Sequence, residues 1–224
     1  MKLGLALAVL LGVAASRLED ARNRQDRAAL EKIASELAVP AQKQPKNPEV
    51  QYRLAEAESY LAEVALELRD RAGAKAAAEA GIRAAEGAVA LRPEVAEYHR
   101  LLGTLCGQVI PADLLLALRY GKCARQSIDK AMALDPKSWK AHLSRGVGNY
   151  YLPPALGGGL EPAIRDFQTA IQLNPGAAEA HLWLGIALRR ARRNTEARKA
   201  LARSLELNPD RIWTKQQLEK TPAQ

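Results

Sequence analysis

The six residues Ala170-Ile171-Gln172-Leu173-Asn174-Pro175 return along this chain in three further variants. Each variant keeps a small residue, a Leu three positions later and a Pro two positions after that. The variants are Ala88–Pro93, Ala131–Pro136 and Ser204–Pro209. The intervals between the four prolines are 43, 39 and 34 residues, which is the length of a helical hairpin and too long for a coiled-coil heptad. Because repeats of this size bury their cores only against neighbours, the chain is predicted to be a stack of similar helical repeats.

The composition favours helix throughout. Ala, Leu, Glu, Arg and Lys dominate the 224 residues, aromatic residues make up 4%, and 48% hydrophobic residues suffice for a continuous core. We therefore expect an all-α protein without a sheet. The net charge is +8, and the densest basic stretch runs from Arg189 to Arg203. No base-reading or base-stacking motif accompanies that stretch, so nucleic acid is not an expected partner.

The first 15 residues predict a secretory signal. Lys2 precedes an apolar run from Leu3 to Val13, and Ala14 and Ala15 suit a cleavage site after Ala15. The run is too short for a stable membrane span, which needs roughly 20 apolar residues. We therefore expect export, to a periplasm. The alternative is that this segment is an ordinary buried helix of a cytoplasmic protein.

A second set of spaced residues precedes each repeated proline. In the last repeat these residues are His181, Leu184, Gly185, Leu188, Ala197, Leu201, Ser204 and Pro209. The two preceding repeats match with His142, Gly146, Asn149, Ala163, Phe167, Ala170 and Pro175, and with His99, Leu102, Gly103, Cys106, Ala124, Ile128, Ala131 and Pro136. These spacings resemble the tetratricopeptide repeat (TPR) over roughly residues 49 to 209. The resemblance implies an α-solenoid of stacked antiparallel helix pairs that forms a TPR-like superhelix.

The predicted domain organisation follows from these repeats. Residues 16–48 form an N-terminal capping helix, over Ala28 to Leu37, and a linker. Residues 49–209 form the solenoid of about four repeats, with inserts near 109–122 and 151–160. Residues 210–224 form a C-terminal capping helix, over Ile212 to Leu218, and a tail. Both caps are expected to cover the apolar ends of the solenoid.

In TPR families, the concave groove is lined by fixed positions of each first helix. Carried over by position, the resemblance selects Lys140, Leu143, Val147, Tyr150 and Tyr151 in one repeat, and Glu179, Leu182, Ile186, Arg189 and Arg190 in the next. The preceding repeat contributes Glu97, Arg100, Thr104, Gly107 and Gln108, a less distinctive set. Tyr and Arg often dominate interface energetics. We therefore expect a protein or peptide partner with apolar and acidic character.

The histidines and cysteines are the residues most able to support metal or redox chemistry. His99, His142 and His181 occupy equivalent positions of successive repeats, on the order of 10 Å apart, whereas the ligands of one zinc ion lie about 2 Å from it. We therefore predict a packing role and no metal or cofactor. Cys106 and Cys123 are predicted to lie near facing ends of two paired helices. They could therefore form a disulfide or remain two separate buried thiols.

Three functions are compatible with this pattern, and none is catalytic, because no nucleophile, base or carboxylate pair stands at an interpretable spacing. The first is a non-enzymatic protein–protein interaction scaffold that grips a peptide or partner protein in the concave groove. The second is oligomerisation or complex assembly through the convex face. The third is an envelope transport accessory protein with a small apolar ligand pocket, lined by Leu114, Leu115, Leu116 and Leu118. Separately, the segment Leu152–Gly159 resembles glycine-bearing inserts in periplasmic helical-repeat proteins associated with TRAP-type solute transporters, a resemblance that implies no residue roles.

Overall fold

The computed structural model describes residues 16–112 and 115–223, and the regular structure in those ranges is entirely helical. The predicted signal segment 1–15 and Leu114 lie outside the described residues. Within the described ranges, no helix is long and apolar enough to cross a membrane. The chain divides into an N-terminal unit that ends at Ser127 and a C-terminal unit that begins at Ile128. The prediction of an all-α fold of stacked helix pairs is confirmed.

Helices follow one another in antiparallel pairs. The bounds are α1 (16–23), α2 (Arg27–Lys43), α3 (Pro48–Glu67), α4 (Arg71–Leu91), α5 (Ala96–Val109), α6 (Leu116–Leu134), α7 (Trp139–Tyr151), α8 (Leu160–Leu173), α9 (Ala178–Arg190), α10 (Asn194–Leu207) and α11 (Ile212–Glu219). Short 3-10 helices, Ile110–Ala112 and Pro154–Leu156, lie in the two inserts. Each repeated proline follows a second helix, where it prevents continuation of that helix.

Local chemistry sets several of these boundaries. The side chains of Asp26, Asn47, Asp70 and Ser138 accept hydrogen bonds from the third backbone amide of the helices that they precede. Between pairs, the Asn174 side chain accepts from Gly176 N at 3.1 Å, and the Asp135 side chain accepts from Lys137 N at the same distance. An Asx turn therefore spans each of Pro136 and Pro175.

The N-terminal helix is not the lone cap that the sequence predicts. Helix α2 pairs with α1, and the buried residues Leu18, Leu30 and Ile33 of these two helices share a core with α3. Arg22 of α1 donates to both carboxylate oxygens of Glu63, at 2.9 and 2.7 Å. The prediction of a single helix within residues 16–48 needs correction, because residues 16–23 form a further helix with its own buried face.

The turn inside this added pair repeats elsewhere in the chain. Gln25, Arg69 and Arg192 are the non-glycine residues with positive φ among the described ones, at 52°, 64° and 62°. Each joins the two helices of a pair, and the following amide bonds back to the first helix, as in Asp26 N to Ala21 O at 2.8 Å. The α1–α2 pair therefore has the same internal turn as α3–α4 and α9–α10.

The helices of a pair approach closely at small residues, as expected. A methyl group on Gly146 of α7 would lie 2.5 Å from the Phe167 ring of α8, and one on Gly185 of α9 would lie 2.5 Å from Leu201 of α10. Such contacts are shorter than packed atoms tolerate. The glycines therefore permit the fit of the two helix backbones in each pair of the C-terminal unit.

The second insert is an ordered turn. Gly157 and Gly159 have φ of 86° and 108°, which favours glycine, and Gly159 N donates to Asn149 O at 2.8 Å. The chain thereby leaves α7, makes the short 3-10 helix and returns to begin α8. Tyr151 and Leu156 stay exposed along this excursion.

Candidate functional site

Half of the aromatic side chains of the protein form one cluster in the C-terminal unit. The chain has three Trp, six Tyr and one Phe. Five of these ten form one group, which we call the aromatic cluster: Tyr150, Tyr151, Phe167, Trp183 and Trp213. Because aromatic residues are rare in this protein, their concentration in one place marks a surface for closer study.

Trp183 of α9 is the centre of the aromatic cluster. Its ring centroid lies 5.8 Å from that of Tyr150, 6.2 Å from Tyr151, 6.3 Å from Phe167 and 5.4 Å from Trp213. Three of these contacts are edge-to-face, the arrangement that the ring quadrupoles favour. Phe167 is fully buried, whereas Tyr151 is 60% exposed. The cluster thus runs from the core of the unit to its surface.

A cation borders the exposed part of the cluster. The Arg190 guanidinium lies over the Tyr150 ring, 4.8 Å from its centroid, and donates to the Tyr150 carbonyl oxygen at 3.3 Å. Arg190 remains exposed to solvent. Desolvation of its hydroxyl group, together with the nearby Tyr150, raises the pKa of Tyr151 to about 12, although Arg190 acts to lower it. The surface therefore combines neutral aromatic rings with one fixed positive charge.

The structure separates the ten predicted groove residues into two groups. Leu143, Val147 and Tyr150 of α7 pack partly buried beside the cluster, and the exposed Lys140, Tyr151 and Arg190 lie around them. The remaining four are covered by α11: Glu179, Leu182, Ile186 and Arg189. Leu182 and Ile186 are buried against Leu218 and Trp213. The expectation that they line an open groove needs correction, because the predicted C-terminal cap lies on them.

Helix α11 is attached by hydrogen bonds as well as by these apolar contacts. Arg189 donates to the Gln217 carbonyl oxygen at 3.0 Å and to its side-chain Oε1 at 2.7 Å. Arg198 of α10 donates to the Thr221 carbonyl oxygen at 2.7 Å. At the other end of α11, the fully buried Arg211 donates to Glu179 Oε1 at 3.0 Å.

In the N-terminal unit, the corresponding face of the first helices α3 and α5 is polar, and its side chains bond to one another. The Tyr52 hydroxyl of α3 donates to the Glu97 carboxylate of α5 at 3.1 Å, and Arg100 binds both oxygens of Glu97 at 2.8 Å. Ser59 donates to the Gln108 side chain at 3.1 Å. Burial, helped by Glu97, raises the pKa of Tyr52 above its usual range. Thr104 bonds within α5, and a methyl group on Gly107 would meet no atom within 4 Å.

The three histidines make the same contact in successive repeats. Nε2 of His99, His142 and His181 lies 2.9, 3.2 and 3.3 Å from the carbonyl oxygen of Pro93, Pro136 and Pro175 respectively. Because a carbonyl can only accept, Nε2 carries the proton. Burial lowers the pKa of His181, which keeps its imidazole neutral. Each histidine therefore ties the start of a first helix to the proline that ends the preceding repeat.

The structure also shows where the two cysteines and the described leucines of the first insert lie. Cys106 and Cys123 form a disulfide between α5 and α6, with Cα atoms 6.0 Å apart. Leu115 and Leu118 are 72% and 86% exposed, and only Leu116 packs against the core. Because Leu115 and Leu118 are exposed to this extent, these two side chains do not line a pocket. Within the described residues, no three His, Cys, Asp or Glu side chains gather as metal ligands.

Sequence reasoning missed Trp183 and Trp213 as candidate residues. Trp183 lies between the groove positions of α9, and Trp213 belongs to a segment interpreted only as a cap. The available signal was composition: all three tryptophans fall in the second half of the chain, at 139, 183 and 213. Only the packing of α9 against α7 and α11 shows that two of them join the same cluster.

Comparisons with known proteins agree with this fold. A thermophilic TPR protein of Thermus thermophilus superposes with a TM-score of 0.63 at 19% identity, covering 86% of this chain and 90% of that chain. MamA residues 41-end from Desulfovibrio magneticus RS-1 gives 0.46 at 19% identity, with coverage of 91% and 97%. YrrB, a TPR protein with an unusual peptide-binding site, gives 0.43 at 19%, with coverage of 87% and 92%. No curated protein sequence matches the chain.

Two family models match the sequence in complementary parts. A tetratricopeptide-repeat model covers residues 158–212, which confirms the TPR resemblance. A model described as regulator of microtubule dynamics protein 1-3 covers residues 15–152, more than half of the chain, from the first described helix through α7. The chain therefore belongs to the regulator of microtubule dynamics protein 1-3 family and has the helix-pair architecture of a TPR protein.

Proposed function

We propose that the chain is a non-enzymatic binding scaffold whose recognition surface is the exposed side of the aromatic cluster. The TPR fold is typical of proteins that bind other proteins, and its members are typically not enzymes. The observation that carries the proposal is the grouping of Tyr150, Tyr151 and Trp183 beside Arg190. Tyr, Trp and Arg are the residue types most enriched among energetically dominant interface positions.

The chemistry of this surface defines the partner. Exposed ring area favours an apolar peptide segment, and the single fixed cation of Arg190 favours a nearby carboxylate. The polar face of the N-terminal unit offers a partner less net charge to bind, because the charges of Glu97 and Arg100 already neutralise each other. We therefore place recognition on the C-terminal unit and assign the partner an apolar segment followed or preceded by an acid.

Affinity capture with variant chains tests the proposal. Tyr151→Ala combined with Arg190→Gln should reduce recovery of a specific partner at least tenfold, because both side chains are exposed and belong to the proposed surface. Leu173→Ala, at the exposed end of α8, is the matched control and should leave recovery unchanged. Equal recovery of every partner by all three proteins would contradict the proposal.

The family description favours a second candidate, binding to microtubules. An acidic polymer would be attracted to a chain of net charge +8, and such attraction weakens as salt screens it. Co-sedimentation with polymerised tubulin at low and moderate salt is the direct test. Absence of the chain from the pellet at both salt concentrations would remove this candidate.

We further propose that the chain is exported and that residues 1–15 are removed. The support is the apolar segment itself and the Cys106–Cys123 disulfide, which suits an oxidising compartment. N-terminal sequencing of the chain isolated from its source should then begin at Ser16, and denatured protein should contain no free thiol. An intact Met1 together with two free thiols would instead favour the cytoplasm and the microtubule candidate.

A further inference from the structure

We propose that the surface beneath α11 is a receptor for a short helix, which α11 fills in this structure and which a helix of the partner fills when α11 leaves. This inference rests on the proposed function, because it uses the same side of the C-terminal unit. It adds the secondary structure and direction of the bound segment. We call the receptor the helix socket and define it by Glu179, Trp183, Arg189 and Arg198.

The two ends of the helix socket carry charges that match the polarity of a helix. Glu179 stands at the start of α11, where it accepts from Arg211. Arg189 and Arg198 stand at the other end, where they donate to the carbonyl oxygens of Gln217 and Thr221. A helix has a partial positive charge at its N-terminus and a partial negative charge at its C-terminus. The socket therefore favours one direction of the bound helix.

Two of the C-terminal contacts are made to backbone carbonyl groups, which every bound helix carries whatever its sequence. The last four carbonyl groups of any helix lack partners within that helix. Arg189 Nη1 binds such an oxygen, that of Gln217, at 3.0 Å, and Arg198 Nη1 binds the carbonyl oxygen of Thr221, two residues beyond the end of α11, at 2.7 Å. Any helix whose final turn reaches the two guanidinium groups can make the same bonds. The arginines thus act as a general cap for an incoming helix C-terminus.

The middle of the helix socket supplies selectivity. The Trp213 ring meets Trp183 with centroids 5.4 Å apart, and Leu218 packs with the buried Leu182 and Ile186. A bound helix therefore needs an aromatic residue, with a leucine five positions later. A cation just before the aromatic residue would pair with Glu179, as Arg211 does.

The resident helix is suited to exchange. Helix α11 has eight residues and no side chain caps its N-terminus. Isolated helices shorter than about 12–15 residues are marginal in water, so α11 depends on its docking. Its buried side chains are largely polar, namely Arg211, Thr214, Gln217 and Thr221. A competing helix that reproduces the backbone contacts and covers Leu182 and Ile186 can therefore replace α11.

The test opens the helix socket in the full chain and supplies the helix separately. Lys215 is exposed in α11, and Lys215→Pro removes the bond from its amide to Arg211 O and breaks the helix without deleting a buried side chain. Lys215→Ala is the matched control. The probe is a fluorescein-labelled peptide with the sequence of residues 210–223, and its binding is measured by fluorescence anisotropy.

The expected result has two parts. The peptide should bind Lys215→Pro at least tenfold more tightly than Lys215→Ala, and adding Arg189→Met and Arg198→Met should weaken that binding at least tenfold. Equal binding to Lys215→Pro and Lys215→Ala would overturn the inference. Peptide binding that is unchanged by Arg189→Met and Arg198→Met would overturn it as well. If circular dichroism shows that Lys215→Pro has lost its fold, Trp213→Ala serves as the open form under the same criteria. Because the probe is the chain's own helix, the outcome is independent of whether Tyr151 contacts a partner.

Discussion

Two glycines of one helix show how single residues control the packing of a pair. Gly146 and Gly148 both lie in α7, but only Gly146 faces α8, where a methyl group would lie 2.5 Å from the Phe167 ring. A methyl group on Gly148 would meet no atom within 4 Å. The same substitution should therefore have opposite effects at positions two residues apart.

Gly146→Ala should lower the free energy of unfolding by about 1–3 kcal/mol, because the buried Phe167 must move. Gly148→Ala should raise it by up to about 1 kcal/mol, because alanine favours helix and nothing obstructs its methyl group. Urea unfolding followed by circular dichroism measures both. Destabilisation of similar size in the two variants would show that α7 and α8 do not pack as described.

Glu58 is a second residue whose environment predicts a measurable effect. Its carboxyl group faces a crevice of about 290 Å³ with Leu61, Ala77 and Ala80, and burial raises its pKa to about 7 while Arg83 acts to lower it. Between about pH 4.5 and 7, the folded chain binds more protons than the unfolded chain. Stability should therefore fall as the pH rises through this range.

Unfolding at pH 5 and pH 8 checks this prediction against Glu58→Gln. The loss of stability between the two pH values should be smaller in Glu58→Gln by about 1–2 kcal/mol, after allowance for the exposed part of the carboxyl group. An identical loss in both proteins would mean that Glu58 keeps an ordinary pKa.

At the scale of elements, the sequence predicts most helices and misses α1, the first helix of the first pair. The prolines and spaced small residues place α3 to α10, because each repeat must end one helix and let two backbones approach. The α1–α2 pair lacks that proline pattern, so the sequence predicts only a helix over Ala28 to Leu37. The sequence does contain a local indication of this pair, because Asp26-Arg27-Ala28 at the start of α2 matches Asp70-Arg71-Ala72 at the start of α4.

The groove prediction fails for a different physical reason. Tyr150, Tyr151 and Arg190, which were selected by their position within a repeat, lie beside one another in the structure. Position within a repeat does not reveal that α11 covers Leu182 and Ile186, since that contact depends on where the last helix docks. A repeat pattern predicts the helices within each repeat. Whether their surface residues are exposed depends on which neighbouring helix packs on them.

The disulfide gives a prediction for the α5–α6 pair. Cys106 and Cys123 are 17 residues apart, and closing a loop of this size stabilises a folded chain by about 3 kcal/mol. Cys106→Ala with Cys123→Ala should lower the free energy of unfolding by that amount, and reduction of the wild-type protein should have a similar effect. No change on reduction of the wild-type protein would indicate that the bond contributes nothing to stability.

Across the whole molecule, the two units present different chemistry on their first helices. In the N-terminal unit, residues such as Tyr52, Glu97 and Arg100 satisfy one another. In the C-terminal unit, aromatic rings and Arg190 remain partly open, and α11 covers the adjoining stretch. We infer a division of labour in which one unit contributes stability and the other recognition.

Site-specific photo-cross-linking in cells tests this division most directly. A photoreactive amino acid at Tyr151 should capture a discrete partner, and capture should disappear with Trp183→Ala or Arg190→Gln. The matched control position is Leu118, the most exposed large apolar residue described in the N-terminal unit, and it should capture nothing specific. Capture of the same partner from Leu118, with none from Tyr151, would contradict the assignment of recognition to the aromatic cluster.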